Sequence, residues 1–67
     1  MRTTKHPHLG TGLADAETVA KFLFMPRNEI YKLVATGELP AVRVGRRIRF
    51  RPEDVLQFVD DHREVAP

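Results

Sequence analysis

Five arginines fall within nine residues at Arg43-Val44-Gly45-Arg46-Arg47-Ile48-Arg49-Phe50-Arg51, with no acidic residue among them. A guanidinium stays charged at any ordinary pH and presents a planar fork of donors that matches a phosphate. Such a cluster holds anions; it performs no covalent step. A second group, Pro26-Arg27-Asn28 followed by Tyr31 and Lys32, holds side-chain types able to pair with base edges. Arg pairs with guanine and Asn with adenine through bidentate hydrogen bonds. Tyr31 and Lys32, one helical turn further on, reach a base or a phosphate.

Catalysis has little to work with. The chain has no Ser and no Cys, so the commonest nucleophiles are missing. Asp60-Asp61-His62-Arg63 gathers acid–base groups, but adjacent helical residues point in different directions and cannot converge on one atom. No glycine-rich run leads into a helix at Gly45, so that loop is not a phosphate cradle of the nucleotide-binding kind. His6 and His8 lack carboxylate or thiolate support for a metal. No enzymatic activity, cofactor, metal or small-molecule substrate is expected.

Positioning the two basic groups takes three helices and a hairpin. Asp15 is a good N-cap, and Ala16, Val19, Ala20 and Leu23 repeat at helical spacing, with Phe22 widening the face. That helix must end by about Phe24, because Pro26 disfavours the α conformation at Met25. Small Ala20 lets a second helix approach closely. Phe24 and Met25 form the turn, and Pro26 opens the second helix, expected over residues 26–36 with Gly37 as its left-handed stop. Its apolar face is Ile30, Leu33 and Val34. About 11 residues give about 16 Å, a fair length for a major groove about 12 Å wide.

Glu38-Leu39-Pro40 connects to a hairpin with strands near Ala41–Val44 and Arg47–Arg51. Alternation puts Val42, Val44, Ile48 and Phe50 on one core-facing side if the loop is the odd-numbered Gly45-Arg46-Arg47, pairing Val44 with Ile48 and Val42 with Phe50. Arg43 and Arg49 would then oppose each other outside, a repulsion that a phosphate relieves. A last helix opens with Pro52 at its first position and Glu53 and Asp54 in its first turn. Val55, Phe58, Val59 and His62 follow at helical spacing. Residues 1–12 read as a flexible basic arm, 13–63 as one domain and 64–67 as a frayed tail. The order helix, turn, helix, hairpin, helix is a small α+β winged helix-turn-helix, a fold that holds DNA with its second helix and its wing.

Charge is segregated in the same sense. The 67 residues carry a net charge of +2, yet residues 41–51 carry +5 and residues 52–67 carry −4. A basic strip beside an acidic segment is the footprint of a nucleic-acid binder with a directed face. The same asymmetry in one protomer favours head-to-tail self-association on DNA. No apolar run approaches a membrane span, and the first residues lack the apolar segment of a secretory signal, so the expected place is the cytoplasm, on DNA.

The segment from Asp15 to Arg63, about three quarters of the chain, resembles the excisionase family of MerR-like winged helix-turn-helix proteins. The residues that carry the likeness are Val19-Ala20, Ile30-Tyr31-Lys32-Leu33-Val34, the run Gly37-Glu38-Leu39-Pro40-Ala41-Val42-Arg43-Val44-Gly45-Arg46-Arg47-Ile48-Arg49-Phe50, and Glu53-Asp54-Val55. The resemblance implies a recombination directionality factor. Such a protein binds repeated double-stranded DNA sites near an attachment site, bends them, and steers a phage-type integrase toward excision. It places Pro26, Arg27, Asn28, Tyr31 and Lys32 in the major groove, and Arg43, Arg46, Arg47 and Arg49 on backbone or minor groove. Small transcription regulators share the module, and a protein–protein adaptor with a basic wing is a third reading. Two residues depart from the family pattern. Phe24 stands where the turn usually has a small residue, often Gly, and Pro26 where Ser or Thr usually caps the second helix. A phenylalanine in the turn either plugs the core edge or stands exposed as a sticky contact; core packing is the expectation.

Overall fold

The computed structural model describes residues 12–64; all but the last residue of the arm expected over residues 1–12, and residues 65–67 of the tail, lie outside them. Helix α1 spans Ala16–Leu23, α2 Arg27–Ala35 and α3 Pro52–Asp61; between α2 and α3 lie strands β1, Val42–Val44, and β2, Arg47–Arg49. The two strands form an antiparallel pair, so the winged helix-turn-helix read from the sequence is the fold observed.

Helix α1 starts where a cap is available. The Asp15 side chain accepts a hydrogen bond from the Thr18 N–H at 2.9 Å, satisfying one of the free donors of the first turn. The helix ends in a closed loop of two bonds: Phe24 N–H donates to the Lys21 carbonyl at 3.3 Å and Met25 N–H to the Ala20 carbonyl at 2.9 Å. This Schellman closure demands a left-handed residue between them, and Phe24 adopts it at φ 56°. Helix α2 ends by the same device, with Gly37 N–H bonded to Val34, Glu38 N–H to Leu33, and Gly37 at φ 82°. Glycine adopts that conformation freely; a bulky residue does not.

The left-handed turn sends the Phe24 side chain outward. Phe24 is 93% exposed, which overturns the expectation that it packs in the core, and half-buried Met25 takes the inward place. Helix α2 begins one residue later than expected. Pro26 is its N-cap, in an extended conformation and without a side-chain cap bond, and the helix has 9 residues, about 14 Å. Ile30 is fully buried, with Leu33 and Val34 packed against the core. Helix α3 opens on Pro52 as expected, with Glu53 and Asp54 in its first turn.

The hairpin differs from the sequence reading in register. Its loop is the two-residue Gly45-Arg46, and the pairs are Val42 with Arg49, Arg43 with Ile48 and Val44 with Arg47. Gly45 has φ 62° while Arg46 does not share a positive φ, the demand of a type II′ turn on its first central residue. Turn chemistry therefore set the register, and the apolar residues split between faces. Ile48 and Phe50 lie on the core side, whereas Val44 is 51% exposed. Arg43 and Arg49 are not cross-strand partners, so the anticipated repulsion between them does not arise.

Phe50 pairs instead with Ala14. The two residues exchange backbone bonds of 2.9 and 2.8 Å, which fastens the wing to the segment leading into α1. Ala14, Ala16, Val19, Ala20, Ile30, Leu39, Phe50 and Val55 form the buried core. Ala14 and Leu39 belong to it although neither lies in a periodic segment.

Left-handed backbone at a non-glycine residue costs about 1–2 kcal/mol. Phe24→Gly removes that strain and no buried contact, and gives back part of the gain as unfolded-state entropy. A net stabilisation of about 0.5–1 kcal/mol is expected, and a higher midpoint in thermal and urea unfolding would show it. An unchanged or lowered midpoint would mean that the Phe24 ring contributes contacts that outweigh the strain.

Candidate nucleic-acid interface

The N-terminal half of α2 and the hairpin meet at one open cleft. Arg27 and Tyr31 line it from α2, and Arg43, Arg46, Arg47, Ile48 and Arg49 line it from the wing. Asp15, Ala16 and Glu17, at the start of α1, close its third side. The cleft has a volume of about 440 Å³. Six of the nine residues singled out from the sequence thus come together. Pro26, Asn28 and Lys32 stand exposed at the start and in the first turns of the same helix but outside the cleft lining.

The arginines differ in how free they are. Arg49 is half-buried and donates from Nη1 to the Ile48 carbonyl at 2.9 Å. Arg46 sits at the exposed tip beside the Gly45 turn, and Arg43 and Arg47 are exposed on opposite faces of the hairpin. Arg51, the fifth of the basic run, is engaged elsewhere: Nε and Nη2 reach Glu53 Oε2 at 3.1 and 2.7 Å. A hydrogen bond from its own backbone N–H, together with the Arg51 pairing, holds the Glu53 carboxyl below its usual range. On α2, Lys32 Nζ lies 3.5 Å from Glu29 Oε2, a long contact between exposed groups that a phosphate can replace.

Two acids that the sequence does not assign to the site, Asp15 and Glu17, line the cleft. Glu17 Oε1 lies 3.9 Å from Arg27 Nη1, and Glu17 Oε2 lies 3.7 Å from Lys21 Nζ. Asp15 faces the wing, and hydrogen bonding to Thr18 holds its carboxyl below the usual range, with the Arg49 charge adding to the effect. No sequence signal marks these acids as part of the site, since their approach to the arginines depends on the fold. Five arginines against two carboxylates leave the cleft cationic. Tyr31, 46% exposed among these cations, offers a phenol to a base edge or a phosphate. Among the described residues no group of three or more His, Asp or Glu side chains is gathered to hold a metal, and no helix is long and apolar enough to cross a membrane.

The start of the second helix of a helix-turn-helix and a basic wing sharing one cleft define a winged helix-turn-helix module. Residues 15–63 match the model of a helix-turn-helix domain family, and the chain belongs to that family. It is 38% identical over 50 residues to the mycobacterial protein named "Putative DNA-binding protein Rv0500A" from Mycobacterium tuberculosis (strain H37Rv), covering 75% of this chain and 64% of that protein. It is 39% identical over 51 residues to "Uncharacterized protein YvgK" from Bacillus subtilis (strain 168), covering 76% of this chain and 17% of that one. The chain therefore spans less than two thirds of either relative. No solved structure matches it.

The Asp15 cap links the site to stability. Asp15→Ala is expected to cost about 1 kcal/mol near neutral pH. Because the folded carboxyl titrates below its ordinary value near 3.8, the cap contribution is complete above that value and disappears as the pH falls through the lower folded one. Unfolding midpoints of the two proteins should differ at pH 7 and converge in acid. A constant gap down to pH 2 would show that the carboxylate charge plays no part.

Proposed function

We propose that this protein binds double-stranded DNA sequence-specifically, with the start of α2 in the major groove and the wing on the backbone or minor groove. The observation that carries the reading is the shared cleft, in which Arg27 and Tyr31 stand together with four wing arginines. Membership of a helix-turn-helix family and the DNA-binding name of a mycobacterial relative support it. Arg27 and Asn28, at the first positions of α2, are the sequence-reading residues, with Tyr31 and Lys32 beside them. Arg43, Arg46, Arg47 and Arg49 supply affinity. Pro26 provides no side-chain cap, so a DNA phosphate is a natural acceptor for the free N–H groups of the helix start.

Within that class we assign the chain to the excisionases: an architectural factor that bends tandem sites beside an attachment site and directs a phage-type integrase toward excision. The run from Gly37 to Phe50 supports this reading. A single module of this size buries only about 600–1,000 Å² on DNA, so useful affinity calls for neighbouring protomers, arranged head to tail with the basic wing toward the acidic final segment. A transcription regulator using the same surface is the second reading. Genome-wide selection of bound fragments separates them: tandem, bent sites beside an integrase attachment region for the first, single promoter sites for the second.

Arg27→Ala and Asn28→Ala should each relax sequence choice by about 1–3 kcal/mol per lost base contact. Equal losses on the selected site and on random DNA would remove them from base reading. The double change Arg46→Ala with Arg47→Ala should weaken binding to all sequences and flatten the salt dependence by about 0.9 per lost phosphate contact. An unchanged slope in a salt titration would take the wing tip off the contact surface.

A further inference from the structure

We propose that Phe24 is a further specificity residue, packing its ring against the 5-methyl group of a thymine in the major groove, next to the base pair met by Arg27. The proposal rests on the DNA-binding reading above and assigns a contact to a residue that reading does not use.

Phe24 is the most exposed of the large apolar residues of the described chain, at 93%. The core does not need it, since Met25 and Ala20 complete the closure of α1 beneath it. It is also held at φ 56°, the one non-glycine residue with positive φ among those described. A strained, exposed aromatic side chain in a small domain costs stability, and such strain collects at functional sites.

Its surroundings point to DNA as the occupant. Phe24 lines a shallow recess with Glu17, Ala20, Lys21, Met25 and Arg27. Glu17 and Arg27 also line the basic cleft, so recess and cleft form one continuous surface. The recess is rimmed by two cations and one carboxylate, a net positive charge that suits a polyanion. Phe24 and Arg27 are three residues apart, at most about 11 Å along the chain, and a major groove about 12 Å wide admits both. Inside that groove the thymine methyl is the apolar feature of the base edges, and phenylalanine is among the side chains that meet it.

The test begins with a site selected from random-sequence DNA by the wild-type protein. Each thymine of that site is then replaced singly by deoxyuridine, which removes the methyl group and keeps every hydrogen-bonding atom. Wild type should lose about fourfold in affinity at one position, the equivalent of one buried methyl group at about 0.8 kcal/mol. Phe24→Gly should bind the thymine and deoxyuridine forms equally while melting no lower than wild type. Equal wild-type binding to every deoxyuridine site would overturn the proposal, as would a Phe24→Gly protein that keeps the discrimination. If wild type selects no site at all, the DNA-binding reading itself fails, an outcome distinct from selection without methyl dependence.

Discussion

The arrangement depends on one pairing, the two backbone bonds between Ala14 and Phe50. A 67-residue chain buries little surface and has no cysteine to reinforce it. A three-residue strand pair on its own is marginal in water. Phe50 gives the wing a fixed root: its ring is fully buried with Val19, Ile30, Leu39 and Val55, and its backbone locks to the residue preceding the α1 cap. One residue later the chain enters α3 through Arg51 and Pro52. The wing, the start of α1 and the third helix are thereby held in one frame, and the basic cleft exists because that frame places Arg43 to Arg49 opposite Arg27 and Tyr31.

What the sequence made legible follows from how local each signal is. The cap at Asp15, the left-handed stop at Gly37 and the opening of α3 at Pro52 are fixed by one or two residues and their own backbone, and all were readable. The hairpin register was not. Alternation of Val42, Val44, Ile48 and Phe50 suggests a single apolar face, whereas Gly45 at φ 62° permits the tighter turn and the wing gains its anchor from Ala14, a residue 36 positions away in sequence from Phe50. Leu39 and Ala14 escaped notice for a related reason. Each is a single inward residue in a short connection, where periodicity has nothing to work on.

The candidate site was legible in its cations and not in its acids. Asp15 reads from the sequence only as a helix cap and Glu17 carries no signal of its own, yet the fold sets one within the field of Arg49 and the other 3.9 Å from Arg27. Exposed pairs of this kind contribute little to stability. Their consequence is electrostatic: they offset part of the arginine charge and leave the cleft net cationic. Asp15 has a second duty as the α1 cap, so its charge cannot be removed without loosening the helix start that walls the cleft.

The ends of α1 and α2 offer an internal control on Phe24. Both helices close by the same pair of backbone bonds around a left-handed residue, and α2 uses Gly37 for it. The closure itself therefore gives no reason for a phenylalanine. Nor does the core, which is complete beneath it. Two costs fall on this one position, the strained backbone and the hydration of an exposed ring, and a ring 93% exposed buries almost nothing to offset them. The ring stands three residues before Arg27 and on the surface continuous with the basic cleft. A residue that opposes folding and adjoins the surface proposed for DNA is better explained by what it meets outside the protein than by anything within it.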